Sequence, residues 1–425
     1  MLPTKEQILA FVSNFSKDEG AALLLSGGDF STSERSFIGL FPRKIVSIPA
    51  EPVKDPWEIL SEKVQNGFWF GYLSYEMGHW SVPKMLCRYK SQGEDLAAFI
   101  FCAVIIVIHH QTGTVEVRYQ DKLSISEQTR IAPFLNGDYS SLSLSTPQIK
   151  LNYPLTGIEE YSELLKHILD WIRDGQVYQV NLSHCVEWIN YSDPFQMYCQ
   201  LFLDNPSPFS AYLHFEKRSI ASLSPERFLK LEKGVLSSYP IKGTSARSAD
   251  PEEDMLNKQY LLTSEKENAE LLMITDLMRN DLGRVCLPGS IQVPKVKHCE
   301  SYNNVFHLNS IIQGSVDKTK NFWEVIYSCF PAGSITGCPK GKAMELINIL
   351  EKSTRGIYTG SIGYIDFSNG FDLNVAIRTV EIKGIKSKLR LGGGITIDSE
   401  INNEYCETLH KGRSFLKFLK LINPP

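Results

Sequence analysis

The chain has 425 residues, of which 43% are hydrophobic and 22% charged, and its formal net charge is −4. That balance excludes a disordered polymer, and the lack of a basic excess excludes recognition through a nucleic-acid backbone. The length suffices for two or three domain-sized units.

The start, Met1-Leu2-Pro3-Thr4-Lys5-Glu6, lacks the apolar run of a secretion signal. Apolar runs at Ala22–Leu25, Phe68–Tyr75 and Phe99–Ile108 read as strands set among short helices. The longest apolar run, Leu96–Ile108, is too short for a bilayer, which needs roughly 20 residues. Its Val104–Ile108 core reads as a buried strand. Nine irregularly spaced cysteines, from Cys87 to Cys406, include no Cys-x-x-Cys pair and no zinc-type cluster. Scattered thiols suit a reducing compartment, so the expected location is cytoplasmic, with no membrane and no nucleic-acid partner. A polar stretch from Asn136 to Pro147 places a boundary near residue 146. It divides an N-terminal region, 1–146, structurally merged with the rest, from a catalytic region, 147–425. Beyond it, Ile158, Tyr161, Leu165, Ile168 and Ile172 give helical spacing over Thr156–Asp174, stopped by Gly175. Val177–Ser183 then reads as a strand. Such alternation predicts an α+β or mixed α/β fold.

Candidate chemistry begins at Glu226 in Ser224-Pro225-Glu226-Arg227-Phe228 and Lys242 in Pro240-Ile241-Lys242-Gly243-Thr244. Proline and glycine stiffen both stretches. Partial burial would lower the lysine pKa and leave a nucleophilic amine. A lysine nucleophile and a carboxyl acid form a pair able to displace a hydroxyl from carbon. The plain alternative is a solvated lysine in a turn. A helix follows over Ser264–Asp281, with Glu267 and Glu270 on one face. Ser264-Glu265-Lys266-Glu267 also reads as a capping box, which would account for Glu267 without any function. Gly333–Lys340 resembles a phosphate loop only faintly, because Pro339 removes an N–H and the motif's ending is wrong. Tyr358 is either core or ligand-facing, and His307 reads as a hydrogen-bonded core histidine. Arg378 follows an apolar stretch, so it either pairs with a carboxylate or sits at a strand end. Gly392-Gly393-Gly394 lets backbone approach a ligand and present N–H groups to an anion. A last helix, Asn402–Leu421, sets Glu404, Glu407 and Lys411 on one face; the plain reading is an exposed Glu-to-Lys pair. If the two helices meet, four carboxylates converge, and a hard divalent cation such as Mg²⁺ resolves their repulsion. Gly-x-Ser-x-Gly and His-Glu-x-x-His motifs are absent.

Taken in order, these segments resemble the chorismate-utilising enzymes. They are joined by Tyr178–Ser183, Asp276–Arg284, Tyr358–Tyr364, Ala376–Thr379 and Glu404–Thr408. The likeness covers residues 150–421, and Phe70–Glu76 extends it toward the N-terminus. It implies large, mostly antiparallel sheets packed face to face with outer helices. Members that add water to chorismate carry lysine where this chain has Gln179, and anthranilate synthases usually carry alanine where it has Lys242. The Pro-Ile-Lys-Gly-Thr stretch is similar to the aminodeoxychorismate synthase branch. The resemblance implies that Lys242 attacks C2 while Glu226 protonates the departing 4-hydroxyl. It implies Mg²⁺ on Glu270 and Glu407, supported by Glu267 and Glu404. Thr244, His307, Thr336, Tyr358, Arg378, Gly392, Gly393, Gly394 and Lys411 would bind the substrate. No Gly-x-Cys-x-Gly elbow appears, so the expected ammonia source is a glutamine amidotransferase subunit. Anthranilate synthase component I is the alternative within the family, and a non-catalytic dicarboxylate-binding regulator the alternative outside it. One departure is Pro331-Ala332-Gly333, where a Gly-Gly pair is common. Leu23-Leu24-Leu25-Ser26 resembles the edge of the family's regulatory tryptophan pocket.

Overall fold

The computed structural model describes residues 2–27, 34–82, 94–153, 155–301 and 305–421, which leaves Cys87 outside the described residues. Its organising element is the strand Ala97–His109, paired along its length with Arg35–Ile48. Its other edge is shared: Phe68–Leu73 takes the first half and Thr114–Tyr119 the second. From these strands two sheets diverge, and every ladder in both is antiparallel. The first runs through Ala22–Leu25, Phe209–Phe215, Arg218–Ser224, Thr379–Lys383 and Lys386–Ile395 to Gln179–Asn190. The second runs through Ser361–Asp366, Gly370–Asn374, Arg227–Glu232 and Val235–Tyr239 to Val305–Ser315.

The alternation of side chains shows how the layers stack. Phe68, Phe70 and Tyr72 point into a core shared with Phe37, Ile100, Ile220 and Ile362, residues drawn from both sheets. Trp69 and Leu73, on the opposite face, pack under Trp57, Ile274, Met278 and Trp323 of outer helices. A strand buried on both faces reads as an unbroken apolar run, as this one does. Helices Lys5–Ser13, Ile125–Asn136, Pro194–Asp204 and Arg413–Phe418 cover the outer face of the first sheet. The sheets thus pack face to face with helices outside, as the resemblance implies. Ladders cross residue 146: Ala22–Leu25 pairs with Phe209–Phe215, and Phe68–Leu73 with Ser361–Asp366.

Several expected bounds move. The strand expected over Val177–Ser183 is Gln179–Asn190. The Phe68 strand stops at Leu73, and Tyr75–Met77 forms a 3₁₀ turn. The final helix is two, Ile401–Lys411 and Arg413–Phe418, meeting at Gly412. A Cβ on Gly412 would lie 2.4 Å from Leu391 Cδ1, so the helix breaks where it presses on the sheet. Among the described residues, no helix is long and apolar enough to cross a membrane.

Candidate active site

Lys242 stands on the strand Ile241–Ala246, which pairs with Val305–Ser315 as Ile241↔Asn309 and Thr244↔His307. The register shifts between those two pairs, and Gly243 takes φ +79°. This irregularity belongs to the bulge class, which re-aims side chains. Lys242 leans toward the helix Glu265–Gly283, where its Nζ lies 3.5 Å from Glu270 Oε2. Only 12% of the lysine side chain is exposed, which removes the reading of a solvated turn lysine. A Cβ on Gly394 would meet both Lys242 Nζ and Gln179 Nε2 at 2.8 Å, so strand, lysine and amide are in close contact.

Glu226 lies between two strands, in the turn that Ser224 closes by accepting from the Glu226 N–H. Its carboxylate Oε1 accepts from Ser334 Oγ at 2.6 Å. Burial pushes this carboxyl up to about 7, although Ser334 and Lys242 both pull it down. An acid titrating there carries a proton near neutral pH and can give it away.

The two glutamate-bearing helices do face one another, but lysines stand between them. Besides the Lys242–Glu270 pair, Lys266 Nζ lies 3.2 Å from Glu404 Oε1, and Lys411 Nζ 2.6 Å from Glu407 Oε1. The capping-box explanation of Glu267 fails by half. Ser264 accepts from the Glu267 N–H, but the Glu267 carboxylate turns toward Gly243, where a Cβ would meet it at 2.9 Å. Burial, then Glu270 and Glu407, raise the Glu267 pKa. Lys411 foremost holds Glu407 below the usual range. Burial works against the charge of Lys266, but Glu404, then Glu270 and Glu407, hold its pKa up. The donor chemistry is that of a hard-cation site: carboxylates from two helices, close enough to repel, with oxygen as the only donor. Among the described residues, no three such side chains yet surround a common point. The donor set would suit a hard divalent cation such as Mg²⁺ only with the ammoniums of Lys242 and Lys411 moved off Glu270 and Glu407.

Cationic groups also border the cleft, and Arg378 and Lys411 both act on His307. Arg378, at φ 52°, immediately precedes the strand Thr379–Lys383, so the strand-end alternative is the one realised. Burial lowers its pKa to about 10, and among the described residues no carboxylate pairs with it. A charged guanidinium left without a counter-ion beside a cleft calls for an anion. Tyr358 is 6% exposed, and its hydroxyl would lie 2.6 Å from a Cβ on Gly392. Lys411 Nζ also reaches the Gly392 carbonyl at 3.5 Å. Its side chain is 37% exposed yet surrounded by protein, as a cleft-lining group is. His307 is hydrogen-bonded to Thr244 Oγ1 at 2.9 Å, and burial, then Arg378, lower its pKa to about 3, so it is neutral. Gly392, Gly393 and Gly394 pair with Ser183, Leu182 and Asn181, while Lys386–Leu389 alone carry the neighbouring strand. The edge at the glycines therefore has no strand on it among the described residues. Thr336 is fully buried and donates to Ala332 and Gly333 carbonyls, not to the cleft. The faint phosphate loop is excluded on its lysine: Lys340 binds Asp281 Oδ2 at 2.6 Å and the Cys329 carbonyl at 2.8 Å.

Sequence reasoning missed three parts of the site. Ser334, which holds Glu226, carried no signal. Lys266 sits inside the capping motif, and nothing local marks its pairing with Glu404. Arg355, Glu351 and Arg390 form a buried network behind the cleft, of which only the four-residue Glu351–Arg355 spacing was visible. Both amide atoms of Gln179 are fully buried without a hydrogen-bond partner among the described residues. Leu24, Leu25 and Ser26 line a separate cavity of about 50 Å³, with Arg227 and Tyr364, which none of the candidate residues lines.

A buried acid, a largely buried amine and a guanidinium with no carboxylate partner among the described residues form a cleft suited to a small carboxylic acid. The chain belongs to the chorismate binding enzyme family, whose model matches residues 39–417. It is 36% identical to "Anthranilate synthase component 1" of Saccharolobus solfataricus, over 84% of this chain and 80% of that protein. It is 37% identical to "Aminodeoxychorismate synthase component 1" of Klebsiella aerogenes, over 77% of this chain and 71% of that one. Among solved structures, anthranilate synthase component I from Streptococcus pneumoniae superposes with a TM-score of 0.77 at 26% identity, over 90% of this chain and 92% of that chain.

Proposed function

We propose that the chain aminates chorismate at C4 to give 4-amino-4-deoxychorismate, a step toward 4-aminobenzoate and folate. The observation that carries this reading is Lys242, a largely buried amine on the same cleft as the acid Glu226. Lys242 attacks C2 while the ring double bonds shift and the C4–oxygen bond breaks. Glu226 gives its proton to the departing hydroxyl, which leaves as water. Ammonia then adds at C4, the double bonds shift back, and the C2–lysine bond breaks. A single attack at C2 puts nitrogen at C2; the lysine relay returns it to C4. Arg378 and Tyr358 bind the enolpyruvyl carboxylate, with Lys411 and the Gly392–Gly394 backbone completing the anion clamp; Thr336, turned to the Ala332 and Gly333 carbonyls, takes no part. His307, fixed by Thr244, presents a neutral imidazole beside them. Glu270 and Glu407 would hold Mg²⁺, with Glu267 and Glu404 behind; when bound, it supplies positive charge to the ring carboxylate. Ammonia comes from a glutamine amidotransferase that accompanies the chain, and free ammonium substitutes in vitro.

The competing reading is anthranilate synthase component I, favoured by the likeness to the Saccharolobus and Streptococcus proteins. One assay separates the two. Purified protein is incubated with chorismate, Mg²⁺ and ammonium, and the products are resolved by chromatography. 4-Amino-4-deoxychorismate is expected, and anthranilate as the main product would refute the proposal. Lys242→Ala is expected to lose the C4 product and to raise the anthranilate-type one.

A further inference from the structure

Three lysines face four carboxylates in the cleft, and two of them have work in the proposed reaction: Lys242 as nucleophile and Lys411 at the substrate. Lys266 has none. It lies one residue before Glu267 and four before Glu270, so it shares a face with Glu270. Its ammonium does not run along its own helix but crosses to Glu404 Oε1 on the other, at 3.2 Å. The same oxygen accepts from Ser399 Oγ at 2.6 Å.

The two partners are unequal. Glu404 is 2% exposed and held by Ser399, whereas 38% of the Lys266 side chain is exposed. The carboxylate is therefore fixed, and the lysine reaches it from the open side of the cleft. A long, flexible side chain at such a place can swing into water, where an ammonium is well solvated. Glu404 has no such exit. The formal balance, four carboxylates against three ammoniums, is about −1. Glu267 has no ion pair among the described residues, so part of that charge stays uncompensated.

We propose that Lys266 is the resident counter-cation of Glu404 at the open side of the carboxylate cleft, displaced when a divalent ion binds beside it, so that it sets the cleft's affinity for Mg²⁺. The inference rests on the reading that these four carboxylates hold Mg²⁺. An ammonium and a divalent ion repel strongly at a few ångströms, and the ion binds only after Lys266 has let go of Glu404. Neutralising Lys266 removes that competition and takes the formal balance to about −2.

The test is Mg²⁺ binding to metal-stripped protein without chorismate, followed by titration calorimetry, with Mn²⁺ and electron paramagnetic resonance as a second readout. Lys266→Met is expected to bind Mg²⁺ about tenfold more tightly than wild type, a value scaled down from the bare Coulomb repulsion for a half-exposed position. Lys266→Arg, which keeps the charge, is expected to stay within about twofold of wild type. Lys266→Gln repeats the neutral substitution should the methionine variant fail to fold. Unchanged or weaker binding by the neutral variants, with wild type binding normally, would overturn the role of Lys266 alone. No binding by any protein would overturn the metal reading and the proposal with it.

Discussion

Glu226 shows most directly how one residue trades stability for chemistry. Its carboxyl is fully buried and titrates at about 7 against an ordinary 4.5. The folded state therefore binds a proton that the unfolded state has released. This term favours the folded state below pH 4.5 and is lost as pH rises through about 7. The 2.5-unit difference corresponds to about 3 kcal/mol, to order of magnitude. Glu226→Gln keeps the shape and the Ser334 contact and cannot ionise. It is expected to unfold at a higher temperature than wild type at pH 8, with the gap closing toward pH 4.5. The same variant is expected to lose activity by about 10²–10⁴-fold, because no proton reaches the leaving hydroxyl. Wild-type kcat is expected to fall above pH 7 as the acid ionises. A Glu226→Gln protein no more stable than wild type at alkaline pH would show that the buried carboxylate costs nothing.

At the level of elements, the glycine strand and its neighbours differ in what they tolerate. A Cβ on Gly392 would sit 2.6 Å from the Leu182 carbonyl and from the Tyr358 hydroxyl, so backbone as well as side chain must shift. On Gly394 it would meet only the far ends of Lys242 and Gln179, at 2.8 Å; on Gly393, nothing nearer than Glu404 Oε2 at 3.6 Å. Gly393→Ala is expected to melt like wild type, and Gly392→Ala to lose about 1–3 kcal/mol. Gly394→Ala is expected to fold but to lose kcat more than KM, since it pushes Lys242 from its place. Thermal melts and steady-state kinetics on the three proteins give the order. The same elements show what the sequence made legible. The helix Glu265–Gly283 appears within a residue or two, because its apolar period and its cap are local. The shift that aims Lys242 does not, because register depends on Val305–Ser315, some sixty residues away. The break at Gly412 escaped for the same reason: nothing near it marks the pressure of Leu391. The four glutamates were visible as pairs on helices, and so was the Glu407–Lys411 pair, but the partners across the cleft, Lys242 on Glu270 and Lys266 on Glu404, were not.

Across the whole molecule, one buried cation ties the distant parts of the cleft together. Arg355 donates to both oxygens of Glu351, to the carbonyls of Asn181 and Ile335, and to Thr359 Oγ1. Its guanidinium also stands over the ring of Tyr75, 4.7 Å from the centroid. It thus joins the N-terminal region, the strand of Gln179, the turn before Thr336 and the loop of Tyr358. Glu351 in turn accepts from Arg390 at 3.2 Å and from Ser183 Oγ at 2.7 Å. The network is desolvated, with Arg355 and Glu351 each 2% exposed, so breaking it leaves Glu351 with one cation in a site built for two. Such a loss costs about 3–5 kcal/mol, whereas a half-exposed pair such as Arg35–Glu232 is worth about 0.2–1 kcal/mol. Arg355→Met is therefore expected to lower the thermal midpoint clearly, and Arg35→Met hardly at all. Arg355→Lys keeps the charge but not the planar fork, so it is expected to recover only part of the loss. The segments that Arg355 holds carry Tyr358 and the strand that flanks the glycines, so KM for chorismate is expected to rise even in the lysine variant. An Arg355→Lys protein with normal KM and a normal melt would show that the cleft is held by its sheets alone.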